Sequence, residues 1–322
     1  MRLYLCGVRG STPAPGADFL RYGGHTSCVA IAHDDDARPT LVLDAGTGLR
    51  QVTPLLGGQP FDGTILLTHL HWDHVHGLPF FTGGDREGSR VSLLLPEQED
   101  GATAEQALAK GMSPPHFPIG PSELRGAWIF GTVAPGQLKA EGFTIEARAI
   151  PHKGGTTLGY RVSDGSSVIA YLPDHCPTAL GPGPEGWGEY HAAALELASD
   201  ADVLLHDAFL LADEVAAEAF FGHAAIDYAI GLGRRAGARR VVLTHHKPGR
   251  TDAALDEVAS RVAGVRGEVA SRVAGVRGEV ASRVAAVPGD VARRVAGTPG
   301  EVPGRPAQPE VIVAAEGEIF EL

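Results

Sequence analysis

Short apolar runs, bounded by glycine, proline or polar residues, recur along this chain. Such runs predict buried strands, and we place them at 3–6, 29–31, 40–43, 65–67, 91–95, 143–150, 157–162, 168–172, 201–205 and 240–243. Longer stretches with an apolar face predict helices at 49–56, 104–110, 190–198, 212–220 and 224–236. Two final runs, 310–314 and 318–322, are joined through Gly317 and predict a closing hairpin. Strands that alternate with helices predict an α/β protein.

Residues 257–306 break this pattern with an eleven-residue repeat, clearest in the unit from Glu257 to Gly267. Its valines recur every three or four positions, which would keep them on one face of a helix. Each clear copy also carries glycine, and the later copies carry proline, and both residues oppose a helix. We therefore interpret 257–306 as an insertion within a single domain spanning 1–322, either a loosely held helix or disordered. A partner-binding helix is the alternative.

The composition narrows the class of protein. The chain has 322 residues, of which 43% are hydrophobic, so it can bury a proper core. A net charge of −12 disfavours long nucleic acid as a partner and leaves a small-molecule substrate. The three cysteines, Cys6, Cys28 and Cys176, are far apart, which favours a reducing compartment over a disulfide framework. With no signal peptide or membrane-length run in the sequence, we expect a cytoplasmic protein without membrane contact, and leave a homodimer open.

A dense group of metal-ligand side chains follows the apolar run 65–67. Within six residues the chain places His69, His71, Asp73 and His74. In an extended segment residues i and i+2 share a face, so His69 and His71 can reach one ion together. Once the chain turns, Asp73 and His74 point elsewhere and can serve a second ion. Imidazole and carboxylate are ligands that zinc and related divalent metals take.

Further ligand-type side chains follow the strands predicted downstream. His152, Asp174 and His245 each come one residue after a short apolar run. Because sites in open α/β sheets gather at the carboxyl ends of the strands, we expect these side chains to lie near the histidine run. Asp44 directly follows the run 40–43; it could be a ligand, but it better suits an acceptor that orients a metal-binding histidine through its other ring nitrogen.

Two more histidines are candidate substrate contacts. His223 lies just before the predicted helix 224–236, where free amides favour an anion, although a polar helix-start residue in solvent fits equally well. His116 lies in the apolar, proline-rich loop 112–118, a plausible pocket wall, where packing and substrate contact are equally good interpretations.

The motif HxHxDH and the downstream ligands resemble the metallo-β-lactamase superfamily, on its phosphodiesterase side near ribonuclease Z and phosphoribosyl cyclic phosphate phosphodiesterase. The resemblance implies a four-layer αββα sandwich with two divalent metal ions, zinc by preference and manganese as the alternative. It assigns His69, His71 and His152 as ligands of the first metal and Asp73, His74 and His245 as ligands of the second. It further implies that Asp174 is the bridging carboxylate and that His223 contacts the phosphate.

The implied activity is hydrolysis of a small or cyclic phosphodiester, with Asp73 and His223 as catalytic residues and Asp44 and Asp207 orienting metal-bound histidines. The stretch 177–187 stands where ribonuclease Z has a basic arm for tRNA, but it is short and lacks basic residues. His25 and His116 stand where such relatives often carry asparagine and an aromatic residue, so both are candidate substrate contacts. The alternatives are a lactonase or thioesterase on the same metals, and a non-catalytic scaffold that binds a partner through the repeat.

Overall fold

The structure is a computed structural model that describes residues 1–263 and 308–322. Its centre consists of two seven-stranded sheets. The first sheet contains, in spatial order, β14 (Ile319–Glu321), β1 (Arg2–Gly7), β2 (Cys28–Ala32), β3 (Leu41–Leu43), β4 (Asp62–Leu66), β5 (Arg90–Pro96) and β6 (Ala127–Val133). The second contains β13 (Glu310–Val313), β12 (Arg240–Thr244), β11 (Val203–Asp207), β10 (Val168–Leu172), β9 (Leu158–Ser163), β8 (Phe143–Ala149) and β7 (Gly136–Ala140).

Helices lie outside both sheets. The α-helices are α1 (Val52–Leu55), α2 (Trp72–Val75), α3 (Ala104–Ala109), α4 (Ala192–Ala198), α5 (Val215–Glu218), α6 (Ile226–Ala236) and α7 (residues 252–263). Short 3-10 helices occupy Ala17–Phe19, Thr47–Gln51, Leu78–Phe80, Pro121–Glu123, Pro177–Leu180 and Ala219–Phe221. No helix in the described ranges combines the length and apolar character needed to cross a membrane.

Three apolar clusters separate the layers, as the strand alternation dictates. In β1, Leu3 and Leu5 face the second sheet, whereas Tyr4 and Cys6 face the outer helices, because successive strand side chains point to opposite faces. A third cluster lies between the second sheet and the helices α4, α6 and α7. The order helix, sheet, sheet, helix confirms the predicted αββα sandwich.

Both sheets are mixed, and their parallel halves position the site. Strands β3 to β6 run parallel in the first sheet, and β10 to β13 run parallel in the second. Parallel neighbours present their carboxyl ends at the same edge of a sheet. The residues that follow β3, β4, β10, β11 and β12 are therefore delivered to neighbouring positions.

The closing hairpin predicted from 310–314 and 318–322 is wrong. β13 pairs in parallel with β12, whereas β14 pairs antiparallel with β1 in the other sheet. The apolar pattern and Gly317, which has a φ of 83°, fit a hairpin equally well. Only the neighbouring strands decide that the chain crosses from one sheet to the other here.

Several other elements differ from prediction. The predicted helix 49–56 is a 3-10 helix followed by the single turn α1, and helix 212–220 is the single turn α5 followed by a 3-10 turn. β6 and β7, the edge strands of the two sheets, were not predicted: β7 has the mixed sequence GQLKA without an apolar run, whereas β6 has the apolar sequence AWIFGTV and was missed although similar runs predicted other strands. Helix α6 ends as expected, at Gly237 in the left-handed conformation.

Most of the predicted insertion 257–306 lies outside the described residues. Its first part, 257–263, belongs to helix α7. There Val258 and Val262 are buried against the cluster that covers the second sheet. The start of the repeat therefore contributes to the core, while the division into one domain with an insertion stays a prediction.

Candidate metal centre and catalytic site

The histidine run bridges the end of β4 and the short helix α2. His71 is the extended residue that precedes α2, and Asp73 and His74 lie in its only turn, both buried. The backbone bend separates the run as expected. His69 and His71, with ring centroids 4.4 Å apart, belong to one group of ligand atoms, whereas His74, whose ring centroid is 4.2 Å from that of His69, belongs to the other.

The downstream residues converge on this run from the second sheet. His152, Asp174 and His245 follow β8, β10 and β12. Together with the run they form two groups whose nitrogen and carboxylate oxygen atoms all lie within 4.8 Å of one another. The first group is His69, His71, His152 and Asp174; the second is Asp73, His74, Asp174 and His245. Asp174 belongs to both, so the structure brings together all seven side chains expected to bind metal.

Hydrogen bonds on the far side of the rings point lone pairs into the centre. His74 donates from Nδ1 to Asp44 Oδ2 at 2.8 Å, and His152 donates from Nδ1 to the Gly222 carbonyl at 2.7 Å. In the neutral form of each ring the Nε2 atom is then an acceptor. His74 Nε2 is 3.0 Å from Asp174 Oδ1, and His152 Nε2 is 3.2 Å from His71 Nδ1. With the His74 ring neutral, its contact with Asp174 joins two acceptors, and a cation between them, either a proton or a metal ion, relieves it.

The electrostatics of the centre favour a cation. Burial by itself would lower the pKa of His74, but the carboxylates of Asp174, Asp73 and Asp44 raise that pKa well above its usual value. Burial acts against the charged form of Asp174 too, yet the surrounding histidines, His245 first, hold its pKa well below the usual range. The carboxylates therefore stay ionised at neutral pH and attract positive charge.

A divalent metal fits the residues present. Four buried atoms in the two groups have no hydrogen-bond partner: His69 Nε2, His74 Nε2, Asp174 Oδ1 and His245 Nε2. A buried polar atom left unsatisfied costs about 1–3 kcal/mol, so four in one place call for a ligand. Nitrogen and carboxylate donors without thiolate suit zinc, and also manganese or iron.

His223 lies beside this centre, with only 7% of its surface exposed and its ring centroid 5.0 Å from that of His245. Its Nδ1 donates to Asp207 Oδ2 at 3.0 Å, and its ring stacks on Phe209 with a centroid distance of 4.3 Å. Burial opposes the charged ring, but the Asp207 carboxylate outweighs it and raises the pKa of His223 to about 9. With Nδ1 held by Asp207, Nε2 is the ring nitrogen of His223 that remains to meet an anion.

Asp207 differs from its expected role. The sequence suggested that it orients a metal-bound histidine, as Asp44 does for His74. In the structure its carboxylate accepts from His223 and from the backbone amides of His175, Phe209 and Ala224. The prediction that Asp207 lies at the end of a strand is correct. Its partner, His223, lies in the loop after α5, and sequence periodicity cannot place that loop.

Two residues of the centre adopt a left-handed backbone that side chains rarely take. Asp44 has a φ of 60° and His245 a φ of 59°. Such residues are typical of functional sites, where the surrounding structure holds them in place. Gly10 packs directly against one of them, since a Cβ atom added there would lie 2.4 Å from the His245 ring.

A catalytic pocket of about 630 Å³ opens over the centre. Three features of the pocket and of the metal centre beneath it were not predicted. The Ser11 amide donates to Asp73 Oδ2 at 2.7 Å, and Ser27 Oγ is 3.1 Å from His245 Nδ1. Lys247 lines the pocket, with its ammonium 2.7 Å from Glu218 Oε1. The only sequence signal for them was the glycine-rich loop at the N-terminus and the position of Lys247 two residues after His245.

An adjoining aromatic cavity of about 760 Å³ is lined chiefly by Trp72, Phe80, Phe117, Met112, Arg50 and His116. His116, a candidate substrate contact, is therefore a pocket-wall residue. His25 is not among the described lining residues of either pocket; its Nδ1 is 3.3 Å from the hydroxyl of Thr47, which does line the aromatic cavity. Both substrate roles stay predictions.

The comparisons with known proteins agree with this geometry. A family model described as a β-lactamase superfamily domain matches residues 40–246. The ribonuclease Z of Salinibacter ruber is 27% identical over 239 residues, which cover 61% of this chain and 72% of that protein. The metallo-β-lactamase fold protein YhfI from Bacillus subtilis has a TM-score of 0.61 at 18% identity, with 99% of both chains covered. The short form of human tRNase Z has a TM-score of 0.60 at 16% identity, covering 100% of this chain and 99% of that one.

Fold and site together define a hydrolase of the metallo-β-lactamase fold. The family match covers more than half of the chain, and the chain belongs to the β-lactamase superfamily. Its relatives fit the phosphodiesterase side of that fold family, which the histidine run indicated.

Proposed function

We propose that this protein is a binuclear, metal-dependent phosphodiesterase that cleaves a small or cyclic phosphodiester. The observation that carries the proposal is the pair of four-residue ligand groups that share Asp174, with the His223 cation beside them. His69, His71 and His152 would hold one ion, and Asp73, His74 and His245 the other. Two ions of this kind supply an activated water and stabilise charge on the phosphoryl oxygens.

The protein's own groups hold the donors in place. Asp44 fixes His74 through Nδ1 and also accepts from the amide of Thr68 at 2.7 Å and from the hydroxyl of Tyr171 at 3.0 Å. The Ser11 amide fixes one oxygen of Asp73. These hydrogen bonds fix the orientation of the His74 ring and of the Asp73 carboxylate, so that their metal-ligand atoms are already in place, as preorganised sites require.

His223 supplies a proton donor on the pocket side. Asp207 holds Nδ1, so the ring presents Nε2–H to the pocket that it lines. An N–H cation at this position can bind a non-bridging phosphate oxygen or donate its proton to the departing alkoxide. A carbon-ester hydrolase on the same metals would not need this pair.

Several features support a small substrate in preference to long RNA. The stretch 177–187 carries no lysine or arginine, and the chain as a whole has a net charge of −12. The one lysine of the catalytic pocket, Lys247, is already paired with Glu218. A protein that grips many phosphates needs unpaired basic side chains in numbers. We propose zinc as the native metal and the cytoplasm as the location.

The test is turnover by zinc- or manganese-loaded protein of bis(p-nitrophenyl) phosphate and of 2′,3′-cyclic nucleotides, beside a lactone and thioester panel. We expect phosphodiesters to be cleaved and the carbon esters not. Cleavage of lactones or thioesters alone would overturn the proposal.

The matching variant is His223→Gln. Loss of a positioned acid lowers kcat by about 10²–10⁴-fold, and we expect this with unchanged metal content by elemental analysis. His33→Gln is the control, because His33 lies outside the site and hydrogen-bonds to the backbone of Glu141 at 2.7 Å. Full activity in His223→Gln would remove this residue from the mechanism.

A further inference from the structure

The aromatic cavity continues the catalytic pocket and has no role in the chemistry described above. The two share Leu70 and Trp72 as lining residues, and Trp72 lies between His71 and Asp73 in the chain. A substituent on a phosphoryl group held at the metal centre can therefore extend past Trp72 into the cavity.

The walls of the cavity present aromatic faces. Trp72 is 69% exposed although one face of its ring stacks on His76 at 5.4 Å, so its other face is available. Phe80 is 55% exposed and meets Phe117 edge to face at 5.8 Å. Large apolar side chains left this open beside a site commonly bind a flat ring of the ligand.

The charged residues that line the cavity place a second requirement on the ligand that it would bind. Its described lining contains Arg50 and Lys110 and no carboxylate. Lys110 forms an ion pair with Asp100 at 2.7 Å, so its charge is already neutralised. Arg50 is exposed and has no hydrogen-bond or ion-pair partner among the described residues. A free guanidinium at the rim of an apolar cavity suits an anionic group, and phosphate in particular.

We propose that this cavity is a specificity subsite for the substituent that stays on the scissile phosphate: a flat aromatic ring with an acidic group beyond it, as in a nucleoside that carries a terminal phosphate. The ring lies against Trp72 and Phe80, and Arg50 binds the acidic group. His116 lines the same cavity and borders this substituent. An alkyl chain would fit the apolar walls but would leave the Arg50 charge without a partner. The inference rests on the proposed phosphodiesterase function and makes it more specific.

The experiment compares four p-nitrophenyl diesters that share one leaving group. Their other substituents are methyl, hexyl, thymidine attached through its 3′ oxygen, and the same nucleoside with a 5′-phosphate. Base stacking predicts that kcat/KM for the thymidine ester exceeds that for the methyl ester about tenfold or more. The 5′-phosphate adds about three- to tenfold through Arg50.

Two variants separate the ring contact from the charge contact. Phe80→Ala is expected to lower the thymidine-to-methyl ratio of kcat/KM, and Arg50→Gln to remove the preference for the 5′-phosphate. The matched controls are Phe220→Ala, since Phe220 is 59% exposed but lines neither pocket, and Arg234→Gln on the exposed face of α6. Both controls are expected to keep the wild-type ratios.

Calorimetric binding of thymidine 3′,5′-bisphosphate gives a readout without turnover, and we expect weaker binding in Phe80→Ala and Arg50→Gln. If no diester is cleaved but this binding depends on Phe80 and Arg50, the phosphodiesterase proposal fails and the subsite stands. If all four diesters are cleaved with equal kcat/KM, or the hexyl ester matches the nucleoside, the phosphodiesterase stands and the subsite is refuted.

Discussion

Replacing Asp44 by asparagine tests whether the protonation of one histidine controls metal binding. Asp44 is fully buried, and its Oδ2 accepts from His74 Nδ1 at 2.8 Å and from the Tyr171 hydroxyl at 3.0 Å. Its Oδ1 accepts from the Thr68 amide at 2.7 Å, so an asparagine NH₂ group cannot occupy that position without opposing another donor. The NH₂ group must lie at the Oδ2 position and donate towards His74.

The proton on His74 then has to move. With a donor facing Nδ1, that nitrogen becomes an acceptor and the proton resides on Nε2, the atom that faces Asp73 and Asp174. A protonated nitrogen cannot coordinate a metal. Loss of such an orienting partner typically costs about 10–100-fold in metal affinity, which corresponds to about 1.4–2.7 kcal/mol. We expect the loss to fall on the group of Asp73, His74 and His245.

The assay is zinc content per chain at a series of buffered free zinc concentrations, measured by elemental analysis. Wild-type protein is expected to keep both ions at concentrations where Asp44→Asn keeps one. Competition with a chromogenic chelator gives the two affinities separately, so a selective weakening of one site is visible.

Tyr171→Phe is the matched control because it removes a hydrogen bond to the same oxygen without disturbing the His74 contact. It is expected to lower the free energy of unfolding by about 0.5–1.5 kcal/mol and to keep wild-type zinc affinity. Equal zinc affinity in Asp44→Asn and the wild type, or an equal loss in both variants, would refute the reasoning.

Two further predictions concern stability, measured by chemical denaturation. Burial raises the pKa of Glu316 from 4.5 to about 7, so the stability that this group contributes is present below 4.5 and is lost as the pH rises through 7. The free energy of unfolding of Glu316→Gln should therefore exceed that of the wild type by roughly 1–3 kcal/mol at pH 8, and by progressively less towards pH 5. The control Glu99→Gln, at an exposed position, should match the wild type at both pH values. Val262→Ala should cost about 1–3 kcal/mol because Val262 is buried against the second sheet, whereas exposed Ser260→Ala should be neutral; equal effects would show that the start of the repeat does not pack.

Much of the fold follows from local patterns. Runs such as 168–172 and 240–243 predicted β10 and β12 because a buried strand needs consecutive apolar residues whatever its neighbours are. The edge strand β7 was not predicted because its exposed side chains can be polar, as in its sequence GQLKA, whereas β6 has the apolar sequence AWIFGTV and its omission has no such physical reason. The last two strands were assigned to one hairpin because a local pattern cannot say which sheet completes each strand.

The sequence by itself determined which side chains could bind metal. Strand ends and motif spacing singled out His69, His71, Asp73 and His74 and their downstream counterparts, because a strand delivers the residue after it to the sheet edge. The family resemblance had also assigned Asp174 the position between both ligand groups, where the structure places it. Only the tertiary structure decided that Asp207 holds His223. It also placed the aromatic cavity beside the metal centre. These relations join residues far apart in the chain, and such contacts are set by the packing of two sheets, which no local pattern encodes.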